Sequence, residues 1–482
     1  MSIFRTLMIA TCLGGAALAA PSARAENPIT FTANSGESVE ALQGEFQVPE
    51  DRSDPASRMI TISYIRFPAT GETAGPPIVY LAGGPGGSGS GTARRQRFEL
   101  FMAMRAHGDV IAFDQRGTGG STELPRCTSS VHVPETEAMS DADYGAAWRA
   151  AVEECGEYWR GEGIAIEGYT TAQSVQDISD LREHLGAEQV SLWGISYGSH
   201  LALAALKDIP DEIDRVIIAS AEGLDQTVKM PARTDAYFDR LQAAVNTQPA
   251  AAARYPDIAG TMRRVHARLE AEPMMLEIPQ EDGTAAHFLL QRRHMQEMSS
   301  GLISDPQYAT ILLALYASLD AGDPSLAVGL LQRFHTPGEP VTLNAMSTAM
   351  DLASGIGEAR LAEFGHEAET GLIGEYLNHP MPQIRGAWDG FDLGEDFRTA
   401  PAGDTPVLLL TGTLDGRTYP QGQAAAVAGL SDVTQVIVRH AGHNLFMTSP
   451  DVHDVMHRFM RGEPVERSEI VVDLPDFTEL PF

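Results

Sequence analysis

Short, continuous apolar runs separated by longer amphipathic stretches set the pattern of this chain. Ile78-Val79-Tyr80-Leu81, Val110-Ile111-Ala112-Phe113, residues 190–193 and Val216-Ile217-Ile218-Ala219 are too short for helices and too continuous for half-exposed strands. Such runs fit strands covered on both faces. Between them, residues 172–185 place Val175, Ile178, Leu181 and Leu185 on one face and stop at Gly186, which predicts an amphipathic helix. Residues 199–206 predict a second. Strands alternating with helices imply a mostly parallel sheet. Upstream, residues 44–48 and 59–67 flank a polar turn at 49–55 and predict an antiparallel hairpin at the sheet edge.

From residue 225 to 397 the strand signal fades and helical spacing takes over, as in Met262-Val265-Leu269 and Ile311-Leu312-Leu315-Leu319. Strand runs return at 407–410 and 436–438, followed by a helix over 450–461. The acidic, proline-punctuated residues 463–482 read as an extended strap. The expected fold class is α/β, with a helix-covered, mostly parallel sheet. Its core is formed by residues 26–224 and 398–482, and a helical cap over 225–397 interrupts it. No internal repeat is visible.

Residues 1–25 join Arg5, an apolar stretch over 7–20 and Ala23-Arg24-Ala25, the form of a secretory signal peptide. Export to a periplasmic or extracellular space is expected. The alternatives are an uncleaved anchor, for which the apolar run is short, and a lipid at Cys12, for which Ile9-Ala10-Thr11 is a poor context. No later segment reads as a stable membrane anchor. The net charge of −31 becomes −33 without the leader, which carries Arg5 and Arg24 and no acid. A surface this acidic argues against nucleic-acid and anionic-lipid partners. Of three cysteines, Cys127 and Cys155 outlast the leader. In an oxidising compartment they predict a disulfide contributing about 3 kcal/mol; two separate thiols are the alternative.

The chemistry centres on Gly194-Ile195-Ser196-Tyr197-Gly198, between a predicted strand and a predicted helix. A turn this tight holds Ser196 at its tip as a nucleophile, and the glycines allow backbone and neighbours to meet. A serine hydroxyl needs a base, and the base needs an orienting acid. In this topology they follow in the order Ser, acid, His. Asp415, after the 407–410 strand, is the expected acid, and His443, after the 436–438 strand, the expected base. His440 is the alternative base. The developing oxyanion needs N–H donors: the Tyr197 backbone is one, and Gly84, in the loop Ala82-Gly83-Gly84-Pro85-Gly86-Gly87, the other. That loop lacks the lysine of a phosphate-binding loop. In Asp114-Gln115-Arg116-Gly117-Thr118-Gly119, the charged pair is expected to form a buried salt bridge bracing the glycine loop; contact with substrate is the alternative. His453 and His457 sit four residues apart but lack a third ligand, so no metal and no cofactor is expected.

Together, Gly83-Gly84-Pro85-Gly86, the Asp114–Gly119 loop motif, the Ser196 pentapeptide, Gly412-Thr413-Leu414-Asp415 and Gly442-His443 resemble the α/β-hydrolase peptidases that include proline iminopeptidases and secreted tripeptidyl aminopeptidases. The resemblance implies an α/β-hydrolase fold with a helical cap and removal of residues from a free peptide N-terminus, with acidic groups holding the α-ammonium. Ala82 departs from the family, which commonly has His there. Glu222, ending the 216–219 strand, is the candidate ammonium anchor; a salt-bridged loop acid is the competing reading. Met295, Met298, Met346 and Met350 read as pocket lining or as core filler. The expected function is an exported serine aminopeptidase of prolyl or tripeptidyl type, acting on a peptide or small-molecule acyl substrate. A carboxylesterase or amide hydrolase is the alternative. A retired, non-catalytic scaffold is disfavoured because every catalytic element is present, and Ser196 disfavours an Asp-nucleophile enzyme. The sequence carries no signature of oligomeric state.

Overall fold

The computed structural model describes residues 26–481 apart from 73–74 and 281. The expected leader, with Cys12, lies outside the described residues. In chain order the strands are β1 (Asn27–Thr32), β2 (Ser38–Pro49), β3 (Met59–Phe67), β4 (Ile78–Leu81), β5 (Val110–Asp114), β6 (Cys127–Thr128) and β7 (Val190–Ile195). They continue as β8 (Ile213–Ala219), β9 (Met274–Pro279), β10 (Ala285–Leu290), β11 (Thr342–Leu343), β12 (Val407–Gly412), β13 (Val433–Arg439) and β14 (Glu469–Val471). Ten of them form one sheet in the order β1-β2-β3-β5-β4-β7-β8-β12-β13-β14. It is antiparallel from β1 to β5 and parallel from β5 to β14.

Both faces of the parallel part are covered, as the continuous apolar runs require. Side chains alternate between two cores. Val79, Leu81 and Leu192 pack on one face with helices α4 (Thr171–His184) and α5 (Tyr197–Asp208). Ile78, Tyr80 and Trp193 pack on the other with Phe101, from the helix Phe98–Met104, and Phe446. Register brings the carboxyl ends of five strands to one edge: Leu81 pairs with Gly194, Ile195 and Leu410 both with Ala219, and Gly412 with Val438. Ligand chemistry in parallel sheets gathers at this edge.

Three local expectations change. The β2–β3 hairpin forms, but β1 pairs outside it and becomes the edge. The residues between β8 and β12 contain a hairpin, β9–β10, besides their helices. Its strands bury alternate residues, a pattern obscured in sequence by methionine and alanine. The C-terminal tail contributes β14, parallel to β13. Cys127 and Cys155 are joined in a disulfide. The four methionines are core filler: Met295, Met346 and Met350 are buried, and Met298 packs partly buried against the helical core.

Asp114 and Arg116 do not pair with each other. Asp114 accepts from Ser88 Oγ (2.7 Å), Ser90 N (2.9 Å), Ser90 Oγ (2.7 Å) and Gly120 N (2.9 Å), and so ties down the end of the glycine loop. Gln115 Nε2 donates to Ala82 O at 3.1 Å, supporting the other end. Arg116 forms a two-pronged pair with Asp177 of α4, 2.7 Å at each prong, with both side chains fully buried. Removing Asp177 would leave a buried guanidinium without its counter-ion, a loss worth about 3–5 kcal/mol. Asp177→Ala is therefore expected to lower the urea midpoint sharply. A change below about 1 kcal/mol would show that water, or the Glu50 and Gly168 carbonyls to which Arg116 also donates, had relieved the site.

Candidate active site

Steric closeness builds the turn that carries Ser196. A Cβ on Gly198 would sit 2.0 Å from the Leu81 carbonyl oxygen, and one on Gly194 would sit 2.5 Å from Gly198 O. Only glycine lets α5 start so close to β4 and β7. Between them Ser196 adopts φ 55°, ψ −129°, a conformation costing a non-glycine residue about 1–3 kcal/mol. Its amide donates to Ala219 O at 3.2 Å and its carbonyl accepts from Ser199 N at 2.8 Å, which pins the turn between β8 and α5. The Ser196 side chain does not cap α5, so the first N–H groups of the helix, beginning with Tyr197, are left open at its positive end.

Two loops at the same sheet edge supply an imidazole and a carboxylate. His443 Nδ1 lies 3.1 and 3.0 Å from the two carboxylate oxygens of Asp415. Asp415 is fully buried and also accepts from Arg417 N (2.8 Å), Thr418 N (2.9 Å) and Thr418 Oγ1 (2.7 Å). Burial works to raise its pKa, but the His443 charge and these hydrogen bonds outweigh it and hold the carboxyl below its usual range. An ionised Asp415 fixes the proton on Nδ1 and leaves the Nε2 lone pair free. The imidazole loop is held from both sides, His443 N donating to Ser304 O at 2.7 Å and Ser220 Oγ donating to His443 O at 2.7 Å. Ser220 itself has φ 50°. His440 points elsewhere: its Nδ1 is 2.8 Å from Val472 O. His457 Nδ1 is 2.7 Å from His107 Nε2, and His453 Nε2 is 2.9 Å from Phe446 O, so neither helix histidine faces this site.

Ser196 and His443 line one cavity of about 510 Å³, although no hydrogen bond joins them among the described residues. Gly83, Gly84 and Gly87 form another part of its wall. A Cβ on Gly83 would lie 2.9 Å from Ile195 O and 3.1 Å from the Ser196 Cβ, so the loop touches the nucleophile turn directly. Gly84, with φ 132°, needs to be glycine for its own backbone.

Glu222 also lines the cavity and is 6% exposed. Its Oε2 accepts from Lys229 Nζ at 2.6 Å, a partner the sequence did not reveal. Asp351, from the helix Ala345–Ser354, was missed as well. Burial, reinforced by the nearby Glu222 charge and opposed by Lys229 and Arg417, pushes its carboxyl up to about 7. Neither residue stands in a motif. The helical stretch that delivers Asp351 offers only amphipathic spacing.

A model of the alpha/beta hydrolase fold matches residues 76–294. With the sheet order and the Ser196 turn, that decides the fold. The chain has an α/β-hydrolase fold. It is 28% identical over 187 residues to the serine protease Hip1 of Mycobacterium bovis, a match covering 38% of this chain and 36% of that protein. It is 29% identical over 187 residues to the tripeptidyl aminopeptidase of Streptomyces lividans, covering 37% and 34% of the two chains. The proline iminopeptidase of Arabidopsis thaliana is 30% identical over 149 residues, covering 31% and 27%. The chain thus spans about a third of the length of the curated relatives it matches. No helix among the described residues is long and apolar enough to cross a membrane.

The Asp415 environment predicts a pH signature. A carboxyl held below its unfolded value, about 3.9, stabilises the fold fully above that value and loses its contribution as pH falls through the lower folded one. Asp415→Asn should therefore be less stable than wild type at pH 7, with the gap narrowing towards pH 3. Chemical denaturation at both pH values checks this, and a gap independent of pH would contradict it.

Proposed function

We propose that this α/β-hydrolase is an exported serine aminopeptidase, of prolyl or tripeptidyl type, cleaving near a free peptide N-terminus. The observation that carries the reading is a buried carboxylate, Glu222, in the wall of the cavity that also holds Ser196 and His443. Ser196 Oγ attacks the scissile carbonyl and its proton passes to His443 Nε2, while Asp415 stabilises the imidazolium. The Tyr197 and Gly84 N–H groups receive the oxyanion. Collapse breaks the C–N bond, and His443 returns the proton to the leaving amine. Water, deprotonated by His443, then attacks the ester carbon and frees the short N-terminal product and Ser196. The substrate α-ammonium docks at Glu222, whose second oxygen is not taken by Lys229. Residues 225–397 serve as the cap limiting access to this cavity. The disulfide and the leader-like N-terminus suit an oxidising compartment.

A charge-assisted hydrogen bond is worth about 1.5–3 kcal/mol, or roughly 10- to 150-fold in rate. Acetylating the amine of Pro-, Ala- or Ala-Ala-Pro-p-nitroanilide should therefore lower kcat/KM at least about 10-fold. Equal rates with and without acetylation would favour the carboxylesterase or amide-hydrolase reading. Glu222→Gln should lose a similar factor on free-amine peptides and far less on p-nitrophenyl esters. Labelling by a fluorophosphonate should vanish in Ser196→Ala; persistent labelling would remove Ser196 from its role.

A further inference from the structure

Arg97 stands in the wall of the catalytic cavity, only 8% exposed. It donates to the Tyr80 hydroxyl and to Asn444 Oδ1, both neutral. Its guanidinium carbon lies 5.8 Å from the Tyr80 ring centre and 5.4 Å from that of Phe446. Among the described residues no carboxylate pairs with it. Arg116 and Arg398, equally or more deeply buried, are paired with acids: Asp177 for the first, Asp392 and Glu395 for the second. A desolvated guanidinium without a counter-ion is costly, and two recorded bonds leave three of its five N–H groups for another acceptor.

The cavity as a whole runs against the charge of the chain. The net charge is −31, yet Arg95, Arg97, Lys229 and Arg417 line this space against one acid, Glu222. Lys229 is engaged by Glu222, and Arg417 donates to two backbone carbonyls, Ser300 O and Leu377 O, both at 3.1 Å. Arg97, with the exposed Arg95 beside it, has only the neutral Tyr80 and Asn444 side chains.

Position gives that charge a use. Tyr80 lies on β4 and Glu222 follows β8, and the strand between them in the sheet, β7, carries Ser196 at its end. Arg97 reaches this edge through Tyr80 on β4 and Asn444 after β13, at a place in the wall separate from Glu222. Asn444, which Arg97 holds, directly follows His443, the group that protonates the leaving amine.

We propose that Arg97 binds a carboxylate on the leaving fragment of the substrate, close to the cleaved bond. The proposal rests on the aminopeptidase reading and deepens it: the preferred substrates are short peptides whose leaving part carries an anionic group. That group is either a free C-terminal carboxylate or an Asp or Glu side chain. A cavity of about 510 Å³ holds a small ligand of a few residues, which suits the first source.

The test uses one N-terminal acyl part, the best cleaved in the anilide panel, followed by the leaving fragments Ala-Ala, Ala-Ala-amide, Asp-Ala-amide and Asn-Ala-amide. The wild-type enzyme should favour one carboxylate-bearing form over its neutral partner by about 10-fold or more in kcat/KM, as for a hydrogen bond to a charged group. The Ala-Ala pair reports a terminal carboxylate and the Asp/Asn pair a side chain. In Arg97→Gln the ratio should fall to about 1, and Arg97→Lys should keep part of it. Because each ratio is taken on one preparation, partial misfolding cancels. If Arg97 only braces Asn444 and the imidazole loop, all four rates fall together and the ratio survives, which overturns the proposal. Equal wild-type rates on all four peptides overturn it without touching the aminopeptidase reading. Failure to cleave any of the four, with esters still turned over, overturns both.

Discussion

Everything in this site depends on how closely α5 packs against β4. With the Gly198 Cα directly against the Leu81 carbonyl, the chain leaving β7 has no room for an ordinary turn. It is driven into the strained geometry seen at Ser196. The same contact brings the glycine loop that follows β4 against Ser196. One approach therefore sets the position of the serine, the open end of α5 and the loop opposite. The strain is tolerated because the turn is tied to β8 through Ala219 O and lies over a core in which Leu81, Leu192 and Leu201 are fully or almost fully buried.

The second half of the site is electrostatic. Asp415 has no exposure to water, and a bare carboxylate there would be expensive. Two backbone amides, a threonine hydroxyl and the imidazole satisfy it, and the result is a charge that orients His443. The segment between β8 and β12 takes part in this arrangement. Ser304 accepts from His443 N, and a Cβ on Gly442 would lie 2.7 Å from Ser304 O. The helical segment thus reaches the His443 loop by direct contact, so changes there are coupled to the imidazole position.

Around this centre the protein reverses its own charge. A strongly acidic chain places four cations and one acid on the wall of the cavity at Ser196. Glu222 pairs with Lys229 in that wall, while Arg97 bonds the neutral Tyr80 and Asn444 side chains.

Much of this was legible in the chain. The buried strands announced themselves because covering both faces of a sheet demands uninterrupted apolar residues, and the pentapeptide around Ser196 showed the turn because only glycine fits there. The order of Ser196, Asp415 and His443 followed from strand order, and the Cys127–Cys155 bond from a count of two. Other features needed the folded chain. The β9–β10 hairpin carries too weak an alternation to stand out, and β14 is too short to read at all. The pairing of Arg116 with Asp177 instead of Asp114, the Lys229 bond to Glu222, the arrival of Asp351 and the isolation of Arg97 are all contacts between distant segments. Local sequence sets backbone preference and burial period, which are short-range properties. Which charges meet, and which go unmatched, depends on how helices and loops from separate parts of the chain close over one sheet edge, and only the tertiary structure decides that.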